Sequence, residues 1–99
     1  MPKLLMRWNI KPGKEAEYFE YVLKEFAPGI SKLGLQLTES WYTVYGEGPQ
    51  ILSGAEAESD TAMEMALEDE AWERLTEKLK EYVTDFGYKV VPSTGRFQL

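Results

Sequence analysis

Two polar side chains near the start of the chain are of types that stabilise negative charge. Arg7 and Asn9 stand two positions apart in the stretch LLMRWNI. A guanidinium supplies positive charge and an amide N–H supplies a hydrogen bond, so this pair could act as catalytic residues that stabilise a developing oxyanion. The structural alternative is that Arg7 pairs with a partner-strand acid such as Glu39, and that Asn9 bonds the backbone of the turn at Pro12–Gly13. The residue types alone leave both alternatives open.

Large aromatic residues provide candidate walls for an apolar substrate-binding pocket: Trp41, Tyr42 and Trp72. Trp41 and Tyr42 are neighbours in a predicted strand, so they point to opposite faces and only one of them can line a given cavity. Trp72 follows helical spacing with Leu75 and Leu79, which favours a helix packed on a core. Pocket lining and packing remain alternative roles for these residues.

The absence of two residue types narrows the possible chemistry. The chain contains neither cysteine nor histidine, which excludes a thiolate nucleophile, a disulfide framework, an iron–sulfur cluster, a Ser-His-Asp triad, a histidine-ligated haem and the common zinc sites. We therefore expect neither a cofactor nor a metal site.

The charge balance argues against polyanionic partners. Seventeen acidic residues outnumber eleven basic ones, giving a formal charge of -6, so neither nucleic acid nor a membrane surface is an expected partner. The chain has no apolar run of about 18 residues, and the first predicted strand begins close to Met1. We therefore expect no membrane span and no cleavable signal, and the cytoplasm is the expected compartment.

A strand, a turn and a helix must position Arg7 and Asn9. From Lys3 to Ile10 the residues alternate, which predicts a strand whose helix-facing row is wholly apolar: Leu4, Met6, Trp8 and Ile10. After Pro12–Gly13, apolar residues at spacings of three and four predict an amphipathic helix with this buried face: Ala16, Phe19, Leu23, Phe26, Ile30 and Leu33. Pro28 is expected to end or kink the helix, and Gly34 is a plausible stop.

The remainder of the chain predicts a hairpin, a helical region and a last strand. LQLTESWYTVY and QILSGAEAE read as strands joined at GEGP, with Gly54 or Ala55 opposite Trp41. Ser59 or Asp60 is expected to cap the helical region, and Asp69 to cap a new helix within it. The last strand is predicted at residues 88–91, and PSTGRFQL either extends it or reaches a partner.

This order, β-α-β-β-α-β within a single domain of residues 1–99, predicts a ferredoxin-like α+β fold. Both helices would cover one face of a four-stranded antiparallel sheet, and the other face would be open. Large apolar side chains on both sides of the second strand make that open face too apolar for water. We therefore predict a homodimer formed through the open sheet face, with a possible apolar pocket there for a small molecule.

Two stretches resemble the dimeric alpha-beta barrel superfamily. LLMRWNIKPGKEAEYFEYV is similar to its opening strand, turn and helix, and LEDEAWERLTEKLKEYVTDF resembles its broken second helix. The superfamily includes cofactor-independent antibiotic-biosynthesis monooxygenases, muconolactone isomerases, haem-degrading and haem-containing members, sugar mutarotases and small ligand-binding proteins. Mutarotases and haem-containing members rely on histidine, which this chain lacks. Haem-degrading relatives have counterparts of Asn9 and Trp72, but their axial histidine has none here.

Two functions from different classes remain. The first is a small ligand-binding barrel protein of undetermined role. The alternative is a cofactor-independent monooxygenase or isomerase acting on a hydrophobic aromatic molecule. In that case Arg7 and Asn9 would be catalytic, and Trp41, Tyr42 and Trp72 would bind the substrate. Fold alone does not choose between them.

Overall fold

The computed structural model describes residues 1–42 and 51–92, except for the side chains of residues 39–42. Its elements, in chain order, are β1 (Lys3–Ile10), α1 (Glu15–Tyr21), a π-helical turn (Val22–Phe26), α2 (Ala27–Lys32), β2 (Gln36–Tyr42), β3 (Ile51–Glu56), α3 (Asp60–Glu68), α4 (Glu70–Leu79) and β4 (Val83–Val91). The predicted GEGP turn and the predicted role of residues 93–99 lie outside the described residues. Within the described ranges, no helix is both long and apolar enough to cross a membrane.

The four strands form one sheet in the order β2-β3-β1-β4, and every neighbouring pair is antiparallel. This order and the alternation of strands with helices are those of the predicted ferredoxin-like α+β fold, which is confirmed. The helix-facing row of β1 is also confirmed, because Leu4, Met6, Trp8 and Ile10 are all buried in the core. Arg7 lies on the opposite, open face and is exposed.

The first helical segment, which comprises α1, the π-helical turn and α2 (residues 15–32), buries a different face from the one predicted. Phe26 and Ile30 are buried as expected, but Phe19 is 51% exposed and Leu23 is 74% exposed. Tyr18 and Tyr21 are buried in the core instead, at 4% and 3% exposure. A single 3.6-residue period therefore does not run through the whole segment.

The π-helical turn explains both this change of face and the behaviour of Pro28. The N–H of Ala27 donates to the carbonyl of Val22, five residues earlier, so one extra residue is accommodated and the buried face rotates. Ala27 keeps helical dihedrals, so the helix does not end before Pro28, and the alternative of a kink at Pro28 stays a prediction. Pro28 stands in the first turn of α2, where the missing N–H is tolerated.

Three other predicted helix boundaries are confirmed, at Gly34, Ser59 and Asp69. Gly34 adopts a φ of 88°, and the N–H groups of Gly34 and Leu35 donate to the carbonyls of Ser31 and Ile30, which closes α2 with a Schellman motif. The Ser59 hydroxyl accepts from the N–H of Ala62 at the start of α3. The carboxylate of Asp69 accepts from the N–H of Ala71 and begins α4.

Two predictions about the strands are wrong because the sheet contains irregular pairings. Trp41 pairs with Leu52, not with Gly54 or Ala55, and β2 carries one extra residue, Thr38, between its pairs with β3. Such β-bulges shift the register of every later pair.

The last strand begins at Val83, five residues before the predicted start at Tyr88. A second bulge lies in this early part, where Asp85 and Phe86 together oppose Trp8 of β1. The bulge interrupts the alternating pattern by which a strand is recognised in sequence.

Candidate functional site

The open face of the sheet carries Arg7 in a row that runs across all four strands. Gly87 on β4 and Leu52 on β3 pair with Arg7, and Trp41 on β2 pairs with Leu52. A Cβ atom on Gly87 would lie 2.9 Å from Nη2 of Arg7, so the guanidinium lies against the glycine backbone. The lack of a side chain at Gly87 makes room for Arg7 along the sheet surface.

Asn9 is tied to the bulge of β4. Its Nδ2 donates to Oδ2 of Asp85 over 3.0 Å, across the two strands. Asp85 has a φ of 57°, in the left-handed region that aspartate and asparagine tolerate better than most residues. The hydrogen bond therefore supports an unusual backbone position. It also gives Asn9 a partner other than the predicted turn backbone.

Trp72, one of the other predicted pocket residues, does not lie beside Arg7. Trp72 is buried on the helix-covered side, where its ring lies 5.3 Å from that of Tyr88 and 6.5 Å from that of Phe86. The sheet separates Trp72 from the Arg7 guanidinium. Tyr42 pairs with Ile51 through the backbone, and the side chains of Trp41 and Tyr42 lie outside the described residues.

A cleft of about 300 Å³ opens on the helix-covered side, between the first helical segment and the sheet. Its walls come from β1, α1, the π-helical turn, β2 and β3: Trp8, Tyr18, Val22, Phe26, Leu37, Thr38 and Ser53. The π-helical turn and the bulge residue of β2 both contribute to it, so the irregular parts of the backbone shape this space. None of the described side chains that line it belongs to Asp, Glu, Lys or Arg.

A buried hydrogen bond joins two wall residues of the cleft. Nε1 of Trp8 donates to the hydroxyl oxygen of Tyr18 over 2.9 Å, and the two rings meet edge to face with centroids 6.4 Å apart. Burial raises the pKa of Tyr18 above its ordinary value, and the hydrogen bond from Trp8 opposes part of that rise. Tyr18 is therefore a protonated phenol near neutral pH. It can donate a hydrogen bond but cannot serve as a general base.

A second space, of about 490 Å³, lies on the outer surface between α2 and α4 and has a different character. Its rim carries charges of both signs, including Lys78, whose Nζ lies 3.1 Å from Oε2 of Glu25. That contact raises the pKa of Lys78. An exposed ion pair of this kind is typical of an ordinary solvated surface. In the described ranges, no group of three or more acidic side chains is placed to hold a metal ion.

The sequence interpretation did not identify Trp8, Tyr18 or Ser53 as pocket residues. The strand pattern predicts a core position for Trp8, and Trp8 is 2% exposed. The available signal was a pair of amphipathic rings, tryptophan and tyrosine, ten residues apart across a turn, since buried Trp N–H and Tyr O–H groups need partners. Arg7 and Asn9 line neither of the two clefts described above.

No protein-family model and no curated protein matches this chain. Solved structures do match over almost its whole length. A protein of Arabidopsis thaliana has a TM-score of 0.78 at 15% identity, with 100% of both chains covered. A proposed antibiotic biosynthesis monooxygenase from Deinococcus radiodurans has a TM-score of 0.72 at 15% identity, covering 100% of this chain and 98% of that one.

An uncharacterized NIPSNAP domain protein from Burkholderia xenovorans has a TM-score of 0.70 at 16% identity, with 99% of this chain and 100% of that one covered. These similarities show a common fold. The chain shares the ferredoxin-like fold of these structures, as its sequence predicted. Identities this low carry no information about a reaction.

Proposed function

We propose that this protein binds an apolar small molecule in the cleft between the first helical segment and the sheet. The observation that carries the proposal is the cleft itself, about 300 Å³ in volume and walled by aromatic and aliphatic side chains with hydroxyl groups among them. Ligand sites in proteins are commonly of this size and composition, with a few polar groups that orient the ligand. The site lies on the side of the sheet opposite Arg7.

The proposed assembly is a homodimer formed through the open sheet face. Leu52 is 38% exposed at the centre of this face, beside Arg7, and both side chains stay exposed among residues 1–42 and 51–92. Arginine and apolar side chains are both enriched at the centres of protein interfaces. In this proposal Arg7 is an interface residue, and a ligand pocket between the protomers is not required.

The enzymatic alternative is a cofactor-independent monooxygenase or isomerase acting on a hydrophobic aromatic molecule. One structure with the same fold is described as a proposed antibiotic biosynthesis monooxygenase, and this description is the reason for considering the enzymatic alternative. It requires a base or an anion-stabilising group at the ligand. Tyr18 is the ionisable residue among the described cleft walls, and burial raises its pKa, so binding without catalysis is the better supported role. Arg7 and Asn9 would take part only through a second pocket at the open face.

A thermal-shift screen tests the proposal with aromatic ketones, quinols, lactones and fatty acids. A ligand at 100 times its Kd stabilises a protein by about 2.7 kcal/mol, which is about 10 °C or more for a domain of this size. We expect at least one class to give a saturable shift. Thr38→Trp, at the exposed bulge in the cleft wall, should abolish that shift by filling the cleft.

Two control variants locate the site. Thr61→Trp adds the same ring at an exposed position of α3 that lines none of the described clefts, and it should keep the shift. Arg7→Ala should also keep it, because Arg7 lies across the sheet from the cleft. A shift that survives Thr38→Trp but disappears in Arg7→Ala would place the ligand at the open face and contradict the proposal.

A further inference from the structure

The polar groups of the cleft point to one class of ligand. The phenol oxygen of Tyr18 already accepts the Trp8 N–H, so its rotation is constrained by that bond. The hydrogen bonds of the described residues include none that Tyr18 itself donates. The ring is 4% exposed, so its hydroxyl proton has little access to bulk water. Buried hydroxyl groups are normally hydrogen-bonded, and Tyr18 is a wall residue of the cleft, so an acceptor oxygen on a ligand in the cleft can take this proton.

We propose that the cleft selects neutral molecules with a carbonyl-type oxygen, to which the Tyr18 hydroxyl donates while Trp8 holds that hydroxyl in position. This inference rests on the proposed binding function and adds the substrate class. Donation from Trp8 polarises the phenol and strengthens it as a donor, because hydrogen bonds in a chain reinforce one another. The raised pKa of Tyr18 agrees with a group that keeps its proton.

The lack of charged side chains in the described cleft walls disfavours ligands that carry a charge. The described walls of the cleft contain no lysine or arginine to compensate a carboxylate, and no aspartate or glutamate to compensate an amine. Transferring an unpaired ion into such an apolar space is costly. The formal charge of -6 on the whole chain adds to the disadvantage of anions. The ligand class is therefore neutral and apolar, with an exposed acceptor oxygen.

Comparing benzophenone with diphenylmethane separates the contribution of the carbonyl oxygen from that of the apolar body. The two molecules are similar in shape, and only benzophenone has the carbonyl oxygen. In a heteronuclear NMR titration of the native protein, we expect benzophenone to bind about 3- to 10-fold more tightly, the ratio that one net neutral hydrogen bond produces. Diphenylacetate, which adds a negative charge, should bind at least about tenfold more weakly than benzophenone.

Two tyrosine variants assign the preference to one hydroxyl. Tyr18→Phe should reduce the ratio to about one, leaving diphenylmethane binding within about twofold of the native value. Tyr21→Phe is the matched control, because the Tyr21 hydroxyl is also in the core but donates to the carbonyl of Leu75, away from the cleft. The ratio should stay unchanged in that variant.

A measurement on the native protein tests the same hydrogen bond without a variant, in case Tyr18→Phe does not fold. The indole N–H resonance of Trp8 should shift with benzophenone and much less with diphenylmethane, since a ligand acceptor would strengthen the Trp8–Tyr18 hydrogen bond. Equal native affinities, or a ratio that persists in Tyr18→Phe, would overturn the inference and leave the binding function intact. If neither neutral compound binds in a saturable way, the inference and the proposed function both fail.

Discussion

Replacing Tyr18 by phenylalanine tests the hydrogen bond on which the cleft is built. The variant keeps the ring but leaves the N–H of Trp8, a residue that is 2% exposed, without its acceptor. A buried donor left unpaired costs about 1–3 kcal/mol. Since a domain of this size loses about 4–8 °C in Tm for each kcal/mol, we expect Tm to fall by about 4–24 °C.

Tyr21→Phe is again the appropriate comparison. It removes a hydroxyl that donates over 2.6 Å to the carbonyl of Leu75, but the atom left behind is a helix carbonyl, for which loss of a partner is less serious than for an N–H. We expect a cost of about 0.5–1.5 kcal/mol, below that of Tyr18→Phe. Urea unfolding followed by circular dichroism measures both values as free energies.

A double-mutant cycle isolates the pair from other effects of the substitutions. In a Trp8→Phe background no indole N–H remains to be stranded, so Tyr18→Phe should cost less there by about 1 kcal/mol or more. A cost of Tyr18→Phe below about 0.5 kcal/mol in the native background, or a coupling energy near zero, would refute the reasoning.

Two further predictions concern alkaline pH and assembly. Burial raises the pKa of both Tyr18 and Tyr21 above about 10, with Glu25 and Tyr82 adding to the rise at Tyr21, so the folded chain holds protons that the unfolded chain releases. Stability from these groups is therefore complete below about pH 10 and falls above it by at most about 1.4 kcal/mol per pH unit for each tyrosine. Urea unfolding should show this fall, with a smaller slope in the Tyr18→Phe/Tyr21→Phe double variant, and an equal slope would contradict it. Sedimentation should give twice the 11.4 kDa chain mass, with Leu52→Asp dissociating the dimer and Leu23→Asp, at an exposed leucine of the π-helical turn, leaving it intact. If both variants remain dimeric, the interface lies elsewhere.

Much of the fold was predictable because local chemistry and tertiary packing agree along most of the chain. The alternation around Met6, the glycine at position 34 and the caps at Ser59 and Asp69 each depend on short-range rules that hold in the structure. These rules establish the order of the elements. The order in turn predicts the sheet topology.

The errors occur where the backbone is irregular. The π-helical turn shifts the helical period between Tyr18 and Phe26, and the bulges at Thr38 and Asp85 shift the strand period. An inserted residue of this kind changes no composition or local propensity, so only packing partners distant in sequence reveal it. The π-helical turn and the bulge at Thr38 also shape the cleft, so the strand pattern predicts a core position for Trp8 but does not assign it to a site.

A crystal structure of the protein with benzophenone bound would decide where the ligand lies. We predict the ligand between the first helical segment and the sheet, with its carbonyl oxygen within hydrogen-bonding distance of the Tyr18 hydroxyl and the Trp8–Tyr18 bond retained. Benzophenone at the open face against Arg7, with the cleft beside Tyr18 unoccupied, would contradict the proposed site.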